Sequence, residues 1–196
     1  MTTDPFTTAD FLRPTPEVAR RLIGAHLLRA TPAGWARCRI LETEAYLQDD
    51  PACHAFKGPS LRNAPMFGPP GTSYVYYIYG SCHCLNVVTA PIGTGEAVLI
   101  RAVEPLEGLD WLLGNRPVAD RRQLGNGPGK LCQALALDRT HNGLDLLQGE
   151  VLRLEPGDEP PDIAVGRRVG ITKAADLPWR FAWAGHRGVS APRVAR

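Results

Sequence analysis

Residues 74–89, YVYYIYGSCHCLNVVT, read as two strands joined by a tight turn. Tyr74 to Ile78 is the first strand, Tyr79-Gly80-Ser81 the hairpin tip, and Leu85 to Thr89 the return strand. Ala97 to Val103 follows as a third, buried strand with no helix between. Upstream, a long strand is expected from about Trp35 to Tyr46, after a short one around Leu27-Leu28 and a turn at Thr31-Pro32-Ala33-Gly34. Pro178 to Trp183 is the clearest strand downstream. Strands that cluster without a helix between each predict an α+β fold. The expectation is a single mixed domain over residues 1–196, with a mainly antiparallel, curved sheet surrounded by helices and a protruding β-hairpin.

Helices are predicted at four places. Thr15 caps the first, Pro16 suits its first turn, and Val18, Ala19, Leu22 and Ile23 form an apolar face before Gly24. Asp50-Pro51 opens a short helix bearing His54, with Asp50 as its cap. Two more are expected near Leu106–Leu113 and Gly129–Leu137.

At 196 residues with 44% hydrophobic and 21% charged residues, the chain can bury an ordinary core, which excludes general disorder. No apolar run approaches the ~20 residues of a bilayer-spanning helix, and the N-terminus lacks a basic region followed by an apolar stretch. A cytoplasmic protein without membrane attachment is expected. The five cysteines are odd in number and irregularly spaced, which argues for free thiols in a reducing compartment. Net charge is only +2, but residues 161–196 carry seven basic residues (Arg167, Arg168, Lys173, Arg180, Arg187, Arg193, Arg196) against Asp162 and Asp176. That segment reads either as a patch for a polyanion or as a solvated arginine-rich surface.

Three motif readings fail. Gly127-Pro128-Gly129-Lys130 resembles the end of a phosphate-binding loop, but Leu124 replaces its first glycine and Leu131 stands where a magnesium-holding hydroxyl is required. Gly93-Thr94-Gly95 lacks the third glycine of a dinucleotide fingerprint, since Val98 occupies that position. Cys82-His83-Cys84 with Cys53-His54 has weak spacing for tetrahedral zinc, so no metal site is assigned.

The chemistry concentrates elsewhere. All five tyrosines lie between positions 46 and 79, four of them in the hairpin stretch. Tyr74 and Tyr77 read as core residues, whereas Tyr79 at the tip gains little burial and suits a wedge for another macromolecule. Glu42, Glu44 and Tyr46 share one strand face by the two-residue period. Two readings of that face stay open: ordinary surface, or a carboxylate at a pocket wall beside an aromatic, able to act as a general base.

Several segments, taken in order, resemble the alkyladenine (3-methyladenine) DNA glycosylase family. They are Glu42-Thr43-Glu44-Ala45-Tyr46-Leu47, Asp50-Pro51-Ala52-Cys53-His54-Ala55, Arg62-Asn63 and Met66-Phe67-Gly68-Pro69-Pro70-Gly71. The hairpin stretch 74–80, Leu85-Asn86-Val87-Val88, Ile100 to Pro105 and Asn126 to Ala134 continue the likeness over nearly the whole chain. The resemblance implies excision of damaged purines from double-stranded DNA by hydrolysis of the N-glycosidic bond, by a monomer using no metal or cofactor. By the same resemblance Glu44 activates water, and Tyr46, His54 and Tyr76 wall an extruded base. Asn86 crowds the exocyclic amino group of guanine, Arg101 is a pocket arginine at the end of its strand, and Tyr79 fills the gap left in the duplex. The sequence departs from the family after Gly80, where Ser81 and Cys82 are small, which implies weaker support for the Tyr79 wedge. A non-catalytic nucleic-acid-binding module of related fold is the alternative, and the retained Glu44 argues against it.

Overall fold

The computed structural model describes residues 4–78, 80, 82–158 and 162–192. In chain order the elements are α1 (Thr8–Phe11), α2 (Thr15–Arg21), β1 (His26–Thr31), β2 (Gly34–Tyr46), β3 (Ser73–Ile78), β4 (Cys82–Val88) and β5 (Ala97–Glu107). They continue with α3 (Leu109–Asn115), α4 (Pro128–Ala134), β6 (Leu152–Glu155), β7 (Ile163–Gly166) and β8 (Arg180–Trp183). Every strand pairing among the described residues is antiparallel, in the order β3-β4-β5-β2-β1-β6, with β8 also on β2 and β7 on β8. The α+β architecture expected from the clustered strands is therefore present, as a curled antiparallel sheet with four helices.

β2 is the organising strand. Its first half pairs with β1 through a tight turn, in which the Thr31 hydroxyl donates to the Gly34 carbonyl at 2.9 Å. The register against β5 then shifts between Ile40 and Glu42, a bulge that bends the strand. Beyond it, Glu42, Thr43 and Glu44 are hydrogen-bonded to β5 on one side and β8 on the other. These three polar residues thus sit mid-sheet and fully buried. The apolar face of α2 (Val18, Ala19, Leu22) joins Ile40, Ala45 and Ile100 in the main core. The Thr43 hydroxyl, on that covered side, donates to the Ala19 carbonyl at 2.7 Å. Because the strand period is two, the carboxylates of Glu42 and Glu44 point to the other face, Glu44 toward Val169 in the β7–β8 connection and Glu42 toward Ser190 after β8.

Several local expectations need correction. Thr15 does not cap α2 but is its first residue, and its hydroxyl reaches Thr89 and Glu96 instead. No helix carries His54: the Asp50 carboxylate accepts from Ala52 N at 2.9 Å, a local turn bond that competes with helix formation, and residues 51–57 follow as turns. β5 runs on through Leu106 to Glu107, so α3 begins only after Gly108, whose positive φ of 75° turns the chain against Ala36. β4 starts at Cys82 rather than Leu85, and α4 ends at Ala134. Tyr77 is not a core residue; it is 45% exposed and packs against His83 at 5.0 Å between ring centroids.

Candidate active site

A pocket of about 440 Å³ opens between the β3–β4 hairpin, β5, the turn bearing His54, the start of α4 and the β7–β8 connection. Tyr46, His54, Tyr74, Tyr76, Asn86 and Arg101 all line it. The aromatic wall is continuous, with His54 and Tyr76 centroids 4.5 Å apart and Tyr74 and Tyr76 centroids 5.3 Å apart. The His54 Nδ1 and the Tyr74 hydroxyl are hydrogen-bonded at 2.9 Å, which orients the imidazole from behind. Burial, then the nearby Arg62, hold His54 below the ordinary histidine value, so its ring stays neutral near neutral pH. Asn86 donates its Nδ2–H to the carbonyl of its cross-strand partner Tyr74 at 3.0 Å. Such a lining, largely apolar with a few placed polar groups, is what small-molecule sites share.

Glu44 stands directly behind this wall, wholly buried. Its three contacts are with pocket residues. Tyr46 OH donates to Oε2 at 2.8 Å, Val169 N donates to Oε1 at 2.7 Å, and Arg101 Nη1 lies 3.3 Å from Oε2. An ionised carboxylate has about four acceptor sites, so room remains for a further donor such as water. Burial raises the Glu44 pKa above the ordinary value; Arg101, Val169 and Tyr46 oppose that rise, and the Glu42 charge adds to it. Tyr46 is driven well above the usual phenol range by burial and then by Glu44, so its hydroxyl remains a donor. For Arg101 burial acts downward, but the Glu44 and Glu42 carboxylates leave its pKa raised, and it stays a cation.

A second ring of charge surrounds that core. Glu42, also wholly buried, takes Arg101 Nε at 2.8 Å, Arg180 Nε at 2.7 Å, and both Ser190 N at 2.7 Å and Ser190 Oγ at 2.9 Å. Arg168, one residue before Val169, donates to Asp50 and, at 2.9 Å, to the Ala45 carbonyl. Its guanidinium lies over Tyr46 at 4.6 Å and Trp179 at 5.1 Å. These contacts correct the charge reading of the C-terminal segment. Arg168 and Arg180 are buried partners of acids, not surface cations, so a phosphate-facing patch cannot include them.

The structure brings Tyr46, His54, Tyr76, Asn86 and Arg101 to one pocket and sets Glu44 behind its lining, in contact with Tyr46, Arg101 and Val169. Arg101 lies mid-strand in β5, not at the strand's end. Tyr79 and Ser81 lie outside the described residues. Sequence reasoning treated Tyr74 as core alone, yet it lines the pocket and holds His54. Val169 and Arg168 carried no local signal, because a backbone N–H has no sequence signature and the arginine's acid partner lies 118 residues away. Lys130 Nζ donates to Asn126 Oδ1 at 2.8 Å. Among the described residues no helix is long and apolar enough to cross a membrane, and no three His, Cys, Asp or Glu side chains group as metal ligands.

A chain with a buried glutamate behind a pocket of stacked rings has clear relatives. The profile of the family described as Methylpurine-DNA glycosylase (MPG) matches residues 9–187. A protein of Nitrosospira multiformis named "Putative 3-methyladenine DNA glycosylase" is 46% identical over 183 residues, covering 93% of this chain and 92% of its own. Proteins of the same name from Carboxydothermus hydrogenoformans and Methanoculleus marisnigri are 48% identical (84% of this chain, 87% of the relative) and 47% identical (93% and 96%). The chain belongs to the methylpurine-DNA glycosylase family.

Proposed function

We propose that this protein is a monofunctional DNA glycosylase that flips alkylated or deaminated purines out of double-stranded DNA and hydrolyses their N-glycosidic bond, initiating base-excision repair, with Glu44 as the base. The observation that carries the reading is the placement of one buried carboxylate, gripped by Tyr46, Val169 and Arg101, immediately behind the lining of a ring-lined pocket of about 440 Å³. That volume lies within the ~300–1,000 Å³ typical of ligand pockets and accommodates a single nucleobase.

The chemistry follows from the residues. Extruding a nucleotide costs a few kcal/mol, less when the base is damaged and poorly paired. A purine alkylated on a ring nitrogen is cationic, and the faces of Tyr46 and Tyr76 attract it by about 1–2 kcal/mol. Its C1′–N bond breaks with the electron pair going to the base, which leaves neutral and needs no acid. The sugar becomes oxocarbenium-like, and the ionised Glu44 stabilises it. Water adds to C1′ and gives its proton to Glu44, whose raised pKa favours taking it. Asn86, braced on the Tyr74 carbonyl, is suited to crowd the amino group of an undamaged guanine. Tyr79, which follows β3 in the sequence, is assigned by the family resemblance to fill the vacated space in the duplex.

The test is base release from duplexes each carrying 3-methyladenine, 7-methylguanine, hypoxanthine or ethenoadenine, with and without chelator. Release of at least one damaged purine, leaving an intact strand and unaffected by chelator, is the expected result. Failure to release any of them, or strand cleavage without alkali, counts against the proposal.

A further inference from the structure

Among the described residues Glu42 is the most heavily bonded carboxylate, yet, like Glu44, it does not line the pocket. It accepts two guanidinium N–H groups and both polar hydrogens of Ser190. Structural need alone does not explain such a cluster, since buried ion pairs rarely stabilise a fold more than apolar residues of similar volume. What they do well is hold a side chain in one orientation.

The orientation at stake is that of Arg101. A guanidinium offers two forks of parallel N–H groups, either of which matches a carboxylate in bidentate fashion. On Arg101 the side fork is taken: Nε goes to Glu42 Oε1 at 2.8 Å and Nη2 to Ser190 Oγ at 3.4 Å. Ser190 Oγ in turn donates to the same Glu42 oxygen at 2.9 Å, closing a ring. The end fork, Nη1 with the second N–H of Nη2, carries no hydrogen bond to Glu44, and its Nη1 stands a long 3.3 Å from Glu44 Oε2. Arg180, whose Nε also holds Glu42 Oε1, anchors the ring through the Ser190 and Pro192 carbonyls at 3.2 and 2.8 Å.

We infer that Glu42 is the positioning residue of this site: by holding the Nε side of Arg101 it fixes that guanidinium in an orientation that meets Glu44 at a long 3.3 Å rather than in a close bidentate clasp, and so leaves the Glu44 carboxylate an open lone pair for water. This rests on the proposal that Glu44 is the base. The charged and titratable groups around Glu44 are Arg101 from β5, Cys84 from β4, and Tyr46 and Glu42 from β2, with Arg180 its register partner on β8; Val169 N–H faces it from the β7–β8 connection. Two carboxylates against two guanidiniums give a balanced quartet. Without Glu42, Arg101 acts on Glu44 alone and the like charge that raises the Glu44 pKa is gone, so Glu44 becomes a weaker base that stays ionised to lower pH.

The test is single-turnover base release across pH by wild type, Glu42→Gln and the charge-balanced double variant Glu42→Gln/Arg180→Met, with folding checked by circular dichroism. In whichever variant folds, release at the plateau is expected to fall by about tenfold or more. The acid limb is expected to move about one unit toward lower pH, the scale of a single charge contact. A folded variant whose pH profile superimposes on wild type overturns the inference, as does failure of both variants to fold, which assigns Glu42 to structure alone. Should wild type release base while Glu44→Gln releases it equally well, the reading of Glu44 fails instead, and the two failures are told apart.

Discussion

The guanidinium of Arg168 lies over the ring of Tyr46, 4.6 Å from its centroid, although Arg168 itself does not line the pocket. Trp179 meets the same cation at 5.1 Å, and Asp50 and the Ala45 and Ala174 carbonyls take its N–H groups. Tyr46 is thereby fixed by a charge behind it before any base arrives in front. The same arginine precedes Val169, whose N–H holds Glu44, so one side chain anchors two walls of the site.

Arg168→Met removes that anchor and leaves the Asp50 carboxylate buried without its cation. A loss of about 3–5 kcal/mol in urea unfolding is expected. Asp50→Asn combined with Arg168→Met should cost less than the two single losses added together. Strict additivity would show that the pair does not act as a unit.

Glu44→Gln is expected to keep binding lesion-bearing duplex while base release drops by about 10²–10⁴-fold. The raised pKa of Glu44 means that the native state holds its proton more tightly than the unfolded chain does, so ionisation of Glu44 above the ordinary value of 4.5 works against folding. The glutamine variant should therefore be as stable as wild type, or more so, at neutral pH. For wild type, release should decline as pH falls through a value above 4.5, read from the acid limb of the single-turnover rate.

His54 is displaced in the opposite direction. Its native pKa lies below the ordinary 6.5, so between the two values the unfolded chain binds the proton and the native state does not. Its contribution to stability is complete above pH 6.5 and is lost as pH falls through the native value. Titration of the His54 imidazole by NMR should give a midpoint below 6.5, and affinity for a cationic alkylpurine should weaken once that ring is charged. A midpoint at or above 6.5 would contradict this account.

Gly129 marks the narrowest approach at the pocket rim. A Cβ there would meet Cys82 Sγ at 2.8 Å, and both residues line the pocket. Gly129→Ala should cost about 1–3 kcal/mol from overpacking and slow base release by crowding the hairpin. Adding Cys82→Gly, which clears the clash, should recover release; an unimproved double variant would place the defect elsewhere.

Much of this arrangement is legible in the chain. The alternating tyrosines of residues 74–78 and the long run to Tyr46 mark the strands that carry the pocket, because a two-residue period survives any tertiary context that buries one face. The helix expected after Asp50 is absent because that carboxylate binds the local backbone and a distant arginine, and only tertiary structure reveals the second partner. Glu42 and Glu44 share a face, so alternation alone cannot separate their roles. The separation comes from β8 and Ser190, 148 residues after Glu42. The arginines of the last segment look alike in sequence, and only burial distinguishes Arg168 and Arg180, which close ion pairs, from the exposed Arg167 and Arg187.

The reach of Ser190 back to Glu42 bears on how the enzyme is made. A ribosome emits the strand bearing Glu42 and Glu44 early, but the hydroxyl and amide that complete their surroundings emerge 148 residues later. A nascent or prematurely terminated chain thus lacks the last stones of its own arch. Fragments that stop short of Ser190 are therefore expected to lack the proposed activity.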